Sequence, residues 1–339
     1  MRVVFLGTPR FALPSLEALL RSRHEVIAVF TQPDRPAGRG RKPTAPPVKR
    51  LAQGASLPLF QPPRVRAADV EPLAPEVGAV VAFGRILSRK LLAVPPRGFL
   101  NVHASLLPAY RGAAPVQRAL MDGASETGVS IFQLEPELDA GPILLQRAVS
   151  IGPEETAESL EARLAELGAS LLLEALEGLE SGTLHPRPQD HRLATYAPKV
   201  TREESLIDWT LPAEAIERRV RALQPWPLAE TCLEGVPLKV WRAELFRSVD
   251  RRSVDRRSVD RRSVDRPGDE AAPPGMVLGV AEGRSERGIL VQTGQGALLL
   301  TQLQPPGKKP MSARAFLAGH RVERGMVLRR SVDRRSVDR

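Results

Sequence analysis

The chain has 339 residues, 42% of them apolar, which is room for two ordinary domains with cores of their own. Its net charge of +10 is unevenly placed: six copies of Arg-Ser-Val-Asp-Arg, four over 247–266 and two over 330–339, supply most of it and leave a body of about +4. A single cysteine, Cys232, excludes an internal disulfide and a cysteine-rich zinc site, and no stretch approaches the ~18 apolar residues of a membrane span, so a cytoplasmic protein without a metal centre is the expectation.

Val3–Leu6 is a short apolar run followed by Gly7-Thr8-Pro9, too short and too soon interrupted for a leader, and it reads as a first strand. Phe11–Leu20 has helical spacing and Val26–Phe30 reads as a second strand. That strand–helix–strand rhythm predicts right-handed crossovers and a parallel sheet. The connection 31–47 is rich in Pro, Gly, Arg and Lys. A short helix is predicted at Val48–Ala52, a strand at Leu57–Phe60, and a fully buried central strand at Val77–Phe83, which is almost wholly apolar. Leu87–Val94 reads as a helix with Ser88 as its cap. Then follow a strand at Gly98–His103, a loop punctuated by Pro108 and Gly112, a helix beginning at Pro115, and strands at Gly128–Leu134 and Ile143–Val149.

Thr156–Glu180 carries the clearest helical stripe, formed by Leu160, Leu164, Leu167, Leu171, Ala175 and Leu179. Prolines and mixed charges after it predict a linker at 189–206 between a first domain (1–188) and a second (207–329). The second domain changes character. After a helix at Ala213–Leu223 come short, closely spaced strands at Ala229–Leu233, Leu238–Leu245, Met276–Val280, Gly288–Gln292 and Ala297–Leu303, a pattern that predicts a small antiparallel barrel. The pentapeptide repeats interrupt it at 247–266 and form a tail at 330–339. They have neither helical nor alternating apolar spacing and read as solvated insertions.

Asn101 and His103 stand two apart on a strand and therefore face the same side. Asp139 lies in the loop between two later strands. If that loop reaches the carboxyl edge of the sheet, an amide, an imidazole and a carboxylate converge where open parallel sheets bind ligands. A carboxylate beside an imidazole favours its protonated form, and an amide can donate to a developing oxyanion. No Ser or Cys nucleophile accompanies them, so direct acyl transfer between two bound substrates fits. On spacing alone the plainer readings stay open: a structural His at a strand end and an Asp that shapes a turn.

The stretch Asn101-Val-His-Ala-Ser-Leu-Leu-Pro-Ala-Tyr-Arg-Gly-Ala-Ala-Pro115 closely resembles the signature of the folate-dependent formyltransferases, and Leu138-Asp-Ala-Gly-Pro142 is similar to that family's second motif. Phe5–Pro9, Thr31–Gly40, Gln224-Pro-Trp-Pro227 and Pro306–Met311 resemble the branch that acts on tRNA. The resemblance runs from residue 1 to about 328 and breaks only at the repeats. It implies a Rossmann-like, mostly parallel α/β domain followed by an OB-like antiparallel barrel. It implies transfer of the formyl group of 10-formyltetrahydrofolate, a co-substrate, to the α-amine of methionyl initiator tRNA by a cytoplasmic, monomeric, metal-free enzyme.

By the same resemblance Asn101, His103 and Asp139 fall on the catalytic positions. Ser105, Leu106, Leu107 and Pro108, with Arg85, Ile86 and Leu87, fall on the folate pocket. Arg35, Arg39, Arg41 and Lys42 lie in the loop expected at the tRNA acceptor end, and Lys308 and Lys309, with Lys239, are expected against the tRNA flank. Two other readings are a folate formyltransferase acting on a nucleotide-linked amino sugar, which lacks the basic loop, and a non-catalytic RNA- or dinucleotide-binding module. Gly7-Thr-Pro-Arg-Phe-Ala after the first strand lacks the glycine pattern of a dinucleotide reader.

Overall fold

The first strand, β1 (Arg2–Gly7), is buried along all but its first residue, as the apolar run Val3–Leu6 requires. The computed structural model to which it belongs describes residues 1–37, 42–246, 272–284 and 286–330, the side chains of residues 37 and 42 excepted. From β1 the chain passes through a 3-10 turn into α1 (Leu13–Arg21), which buries Leu16 and Leu19, and returns as β2 (Glu25–Phe30), parallel to β1. A small antiparallel ribbon, β3 (Arg35–Ala37) and β4 (Lys42–Thr44), rises from the basic connection. After α2 (Pro47–Gly54), β5 (Leu59–Phe60) adds parallel to β2.

The chain then passes through α3 (Ala67–Val70) to the other side of β1. There β6 (Val77–Val81), buried throughout, pairs with β1. Beyond α4 (Arg89–Leu92), β7 (Phe99–His103) pairs with β6, again in parallel. Ser88 caps α4 by accepting the Leu91 amide at 3.3 Å, as its hydroxyl predicts. The chain continues through β8 (Arg111–Gly112) and α5 (Pro115–Asp122) to β9 (Glu126–Gln133) and β10 (Ile143–Ser150), an antiparallel pair that completes the order β10-β9-β7-β6-β1-β2-β5. The order reverses between β1 and β6, and a crevice opens at the carboxyl ends of the strands beside such a reversal.

The long helix α6 (Ala157–Ser181) covers one face of this sheet and decides where the chemistry points. Leu160, Leu164, Leu171 and Ala175 of the predicted stripe are buried, joined by Leu172 and Leu176. At Gly168 an added Cβ would lie 2.6 Å from Cγ1 of Val102, so helix and β7 approach as closely as glycine permits. With Val102 turned toward α6, strand alternation turns Asn101 and His103 to the opposite face.

The chain divides into two compact units, the first comprising residues 1–116, 125–152 and 159–199, the second the intervening pieces and the chain from Val200 onward. Residues 189–199, expected as linker, thus belong to the first unit. Their strand β11 (Tyr196–Ala197) pairs in parallel with β8, and their carbonyls accept the amides of Arg111, Ala113 and Ala114. Composition resembles a linker there because the contacts are made by backbone.

The second unit contains α7 (Ala213–Ala222), β12 (Ala229–Leu233), β13 (Val236–Phe246), β14 (Val277–Glu282), β15 (Arg287–Gln292), β16 (Ala297–Gln304), β17 (Met311–Ser312), α8 (Ala313–Gly319) and β18 (Leu328–Arg329). The pairs among its described strands are antiparallel, in the order β14-β15-β16-β13-β12-β18, with β17 against β16. A bridge between Met276 and Val327, with the Val277 amide bonded to the Met326 carbonyl at 2.7 Å, brings the two ends of the sheet together as the predicted barrel needs. The short β17, α8 and β18 were not predicted. The repeats at 247–266 and the tail from 331 lie outside the described residues.

Candidate active site

His103 ends β7 and is buried, and the two edges of its ring meet different partners. Nε2 donates to the Tyr110 carbonyl at 2.9 Å, because a carbonyl can only accept. Nδ1 faces Oδ2 of Asp139 at 3.8 Å, too far for a hydrogen bond and close enough for a strong Coulomb interaction whenever the ring carries a proton on both nitrogens, the two side chains being only 6% and 10% exposed. The Asp139 carboxylate is itself held at Oδ2 by the Gly112 amide at 2.8 Å. Gly112 has φ +119°, and a Cβ there would lie 2.8 Å from the Ala197 carbonyl oxygen, so the close fit of β8 on β11 that aims this amide requires glycine. Asn101, half-buried on the same face as His103, makes no side-chain hydrogen bond among the described residues and is available to a ligand.

The route by which Asp139 arrives differs from the simplest expectation. β9 runs antiparallel to β7, with Gln133 opposite Leu100 and Ser130 opposite His103. The loop 134–142 therefore leaves the sheet level with the start of β7 and must fold back ~10 Å, three strand residues, to bring Asp139 to the His103 end. Asp139 adopts φ +48°, a left-handed conformation that Asp tolerates better than most residues. Gln189 holds the turn by donating from Nε2 to the carbonyls of Asp139 at 2.9 Å and Gly141 at 2.7 Å.

Ser105–Pro108 follow His103 with most of their polar groups already engaged. Ser105 Oγ donates to the Ala109 carbonyl at 2.6 Å, Ser130 Oγ donates to the Ser105 carbonyl at 2.6 Å and accepts the Leu107 amide, and Gln146 donates to the Leu107 carbonyl at 2.8 Å. Neither hydroxyl is placed as a nucleophile. Nothing in the sequence singles out Ser130 and Gln146, because each stands among other polar residues of its strand with no motif around it.

The other expected folate segment, Arg85-Ile86-Leu87, lines a groove of about 520 Å³ with Pro63, Arg64, Val65, Phe83 and Gly84, just past the end of β6. Leu87 is buried in the sheet's core cluster, whereas Ile86 is 87% exposed. Gln32 Nε2 and Thr8 Oγ1 fix the groove's edge by donating to the Phe83 carbonyl at 2.7 and 3.3 Å. Ser105–Pro108 are not among the residues lining this groove.

The basic connection is anchored at its base. Lys49 bonds both oxygens of Asp34 at 2.8 Å, and this, with a bond from Gln61, holds the Asp34 carboxyl below the usual carboxylate range. Arg35 is exposed and bonds Gln32. Arg39, Arg41 and the side chain of Lys42 lie outside the described residues. Lys308 and Lys309 are exposed together on the turn after β16 of the second unit.

A buried imidazole between a carbonyl and a carboxylate, an unengaged amide beside it and a groove at the reversal of a parallel sheet suit transfer of a small acyl group between two ligands. A family model described as formyl transferase matches residues 1–176, and one described as formyl transferase, C-terminal domain, matches 199–321. The class is therefore that of the formyl transferases. Relatives narrow it. The methionyl-tRNA formyltransferase of Methylococcus capsulatus is 45% identical over 324 residues, covering 94% of this chain and 97% of that protein, and that of Moorella thermoacetica is 46% identical over 332 residues, covering 97% and 99%. The chain belongs to the methionyl-tRNA formyltransferases.

Among solved structures, the fold is shared with an N-formyltransferase from Helicobacter canadensis, in complex with folinic acid and dTDP-3-aminofucose (TM-score 0.62, 15% identity, 89% of this chain and 98% of that one). It is also shared with HypX from Aquifex aeolicus, in complex with tetrahydrofolic acid (TM-score 0.60, 19% identity, 94% of this chain and 47% of that one).

Proposed function

We propose that this methionyl-tRNA formyltransferase takes its formyl group from 10-formyltetrahydrofolate and delivers it to the α-amine of methionyl initiator tRNA, with Asn101, His103 and Asp139 carrying the transfer. The observation that supports this most is the buried pairing of His103 with Asp139 beside a half-buried Asn101 with no side-chain partner among the described residues. The amine attacks the formyl carbon, a C–N bond forms, and negative charge gathers on the formyl oxygen. The Asn101 amide donates to that oxygen. Collapse breaks the bond between the formyl carbon and the folate nitrogen, and the proton lost by the amine ends on that nitrogen. Nδ1 of His103, the edge not bonded to Tyr110, is the position from which a proton can be passed, and the Asp139 carboxylate stabilises positive charge on the ring while it is passed.

The donor's pterin is assigned to the groove lined by Arg85, Ile86 and Leu87, with Ser105–Pro108 as backbone that shapes the floor beside His103. Arg35, Arg39, Arg41 and Lys42 are assigned to the acceptor end of the tRNA, and Lys308 and Lys309 to its phosphate backbone. The chain acts as a monomer in the cytoplasm, where aminoacylated tRNA is found. No described helix is long and apolar enough to cross a membrane.

The test is formylation of methionyl-tRNA, with a nucleotide-linked amino sugar as competing acceptor. The parent should formylate only the tRNA. Losing one oxyanion donor typically costs ~10²–10³ in rate, so Asn101→Ala should fall in that range, and His103→Ala should lose at least as much. A His103→Ala variant within tenfold of the parent would sink the assignment.

A further inference from the structure

The irregular loop 134–142 lies folded over the sheet, and carbonyls in such a loop need partners. Gln189 supplies two of them, to Asp139 and Gly141, with its Nε2. Its Oε1 accepts from Arg111 Nε at 3.2 Å and Nη2 at 2.7 Å. Gln189 is 6% exposed and Arg111 1%. Both donors and both acceptor positions of this one amide are thus used, in a place closed to water. Arg111 is tied to the same centre by its neighbours: the Tyr110 carbonyl holds Nε2 of His103, and the Gly112 amide holds the Asp139 carboxylate.

We infer that Gln189 is a positioning residue for formyl transfer: it sets the Asp139 loop so that the carboxylate stands against His103, and Arg111 sets Gln189. Glutamine suits this place because the residue must accept from a guanidinium and donate to two carbonyls at once. Glutamate accepts and cannot donate. The buried guanidinium also polarises the amide and strengthens its two N–H donors. The inference rests on the proposed role of Asp139.

Gln189→Glu tests it, because the variant keeps a partner for Arg111 and replaces the two donors with a carboxylate oxygen that cannot donate to the carbonyls of Asp139 and Gly141. Misplacement of about 1 Å can cost ~10²-fold. We expect kcat per folded molecule for formylation of methionyl-tRNA to fall ~30- to 100-fold, while KM for methionyl-tRNA and for 10-formyltetrahydrofolate stays within about threefold; the melting temperature falls as well, because two buried carbonyls lose their donors. A merely structural role would lower the melting temperature and leave kcat per folded molecule unchanged. Placed on an Asp139→Asn background, Gln189→Glu should add less than about threefold further loss, because residues acting as a unit are not additive.

The inference is overturned if Gln189→Glu retains kcat within about threefold of the parent, or if the two losses multiply. If Asp139→Asn itself keeps parental kcat, the role of Asp139 fails and the inference fails with it. If Asp139→Asn is impaired and Gln189→Glu is not, only the inference fails. Should the glutamate variant not fold, Gln189→Asn, which keeps the amide on a stem one methylene shorter, is scored by the same kcat-against-KM criterion.

Discussion

Asp139→Asn removes one charge from the centre and little else. The oxygen of an asparagine can still accept the Gly112 amide that Asp139 accepts at 2.8 Å, and the Gln189 bond goes to the main-chain carbonyl, which the substitution leaves in place. What disappears is a carboxylate 3.8 Å from Nδ1 of His103. At an effective dielectric constant of about 20, two unit charges ~4 Å apart interact by ~4 kcal/mol. The two side chains are 6% and 10% exposed, so salt screens little of it. A ring that gains between half and all of a unit charge in the transition state therefore loses ~2–4 kcal/mol of stabilisation, or roughly 30- to 1000-fold in rate. Single-turnover formylation of methionyl-tRNA at saturating formyl donor measures it. A rate within fivefold of the parent, or a loss confined to KM, would refute the reasoning, because the carboxylate would then not act on charge that develops during the reaction.

Neutralising Arg39 and Arg41 together should raise KM for methionyl-tRNA by roughly tenfold or more and steepen no salt dependence, while KM for the formyl donor stays put, since each phosphate contact contributes separately to nucleic-acid affinity. Equal loss for both substrates would count against the loop's assignment. Ile86→Glu puts a charge on a side chain that is 87% exposed in the groove, so stability should change by less than about 0.5 kcal/mol while KM for the formyl donor rises clearly. An unchanged KM would move the pterin elsewhere. Arg118 bonds both carboxylate oxygens of Glu204, at 2.6 and 3.0 Å, and these bonds hold the Glu204 carboxyl below its ordinary 4.5. The unfolded chain then binds more protons than the folded one, so this stability is full above about pH 4.5 and is lost as pH falls through the depressed value. Arg118→Met should lower stability by ~2 kcal/mol at pH 7, with the gap to the parent closing in acid. Melting curves that stay parallel down to pH 3 would show that the pair is not the cause.

The elements that the sequence revealed are those whose side chains decide them. The apolar run Val77–Phe83 contains a strand buried throughout, and the leucine stripe of α6 predicts a helix found within a residue of its expected ends. Asn101 and His103 were legible because strand alternation puts residues two apart on one face. Asp139 was legible as a partner, but not the path by which it arrives, since nothing in 134–142 says that the loop folds back along the sheet. The segment 189–199 was hidden for a related reason. Arg111, Ala113 and Ala114 use its carbonyls, and a backbone contact has no residue type to betray it. Gln189, the side chain that matters most there, is one glutamine among prolines and charges. The short β17, α8 and β18 carry too few residues for any periodicity to show.

The hold that residues 189–197 keep on this centre also sets an order of assembly. Thr195 reaches back 85 positions to the Tyr110 amide, and Gln189 reaches back 78 to Arg111. A nascent chain that has emerged only as far as β10 holds every strand of the seven-stranded sheet, and Gly112, Ser130 and Gln146 with it, but lacks Gln189 and Thr195, which reach the Asp139 turn and the Tyr110 amide. During synthesis the candidate site is therefore completed only after the last strand of this sheet has emerged.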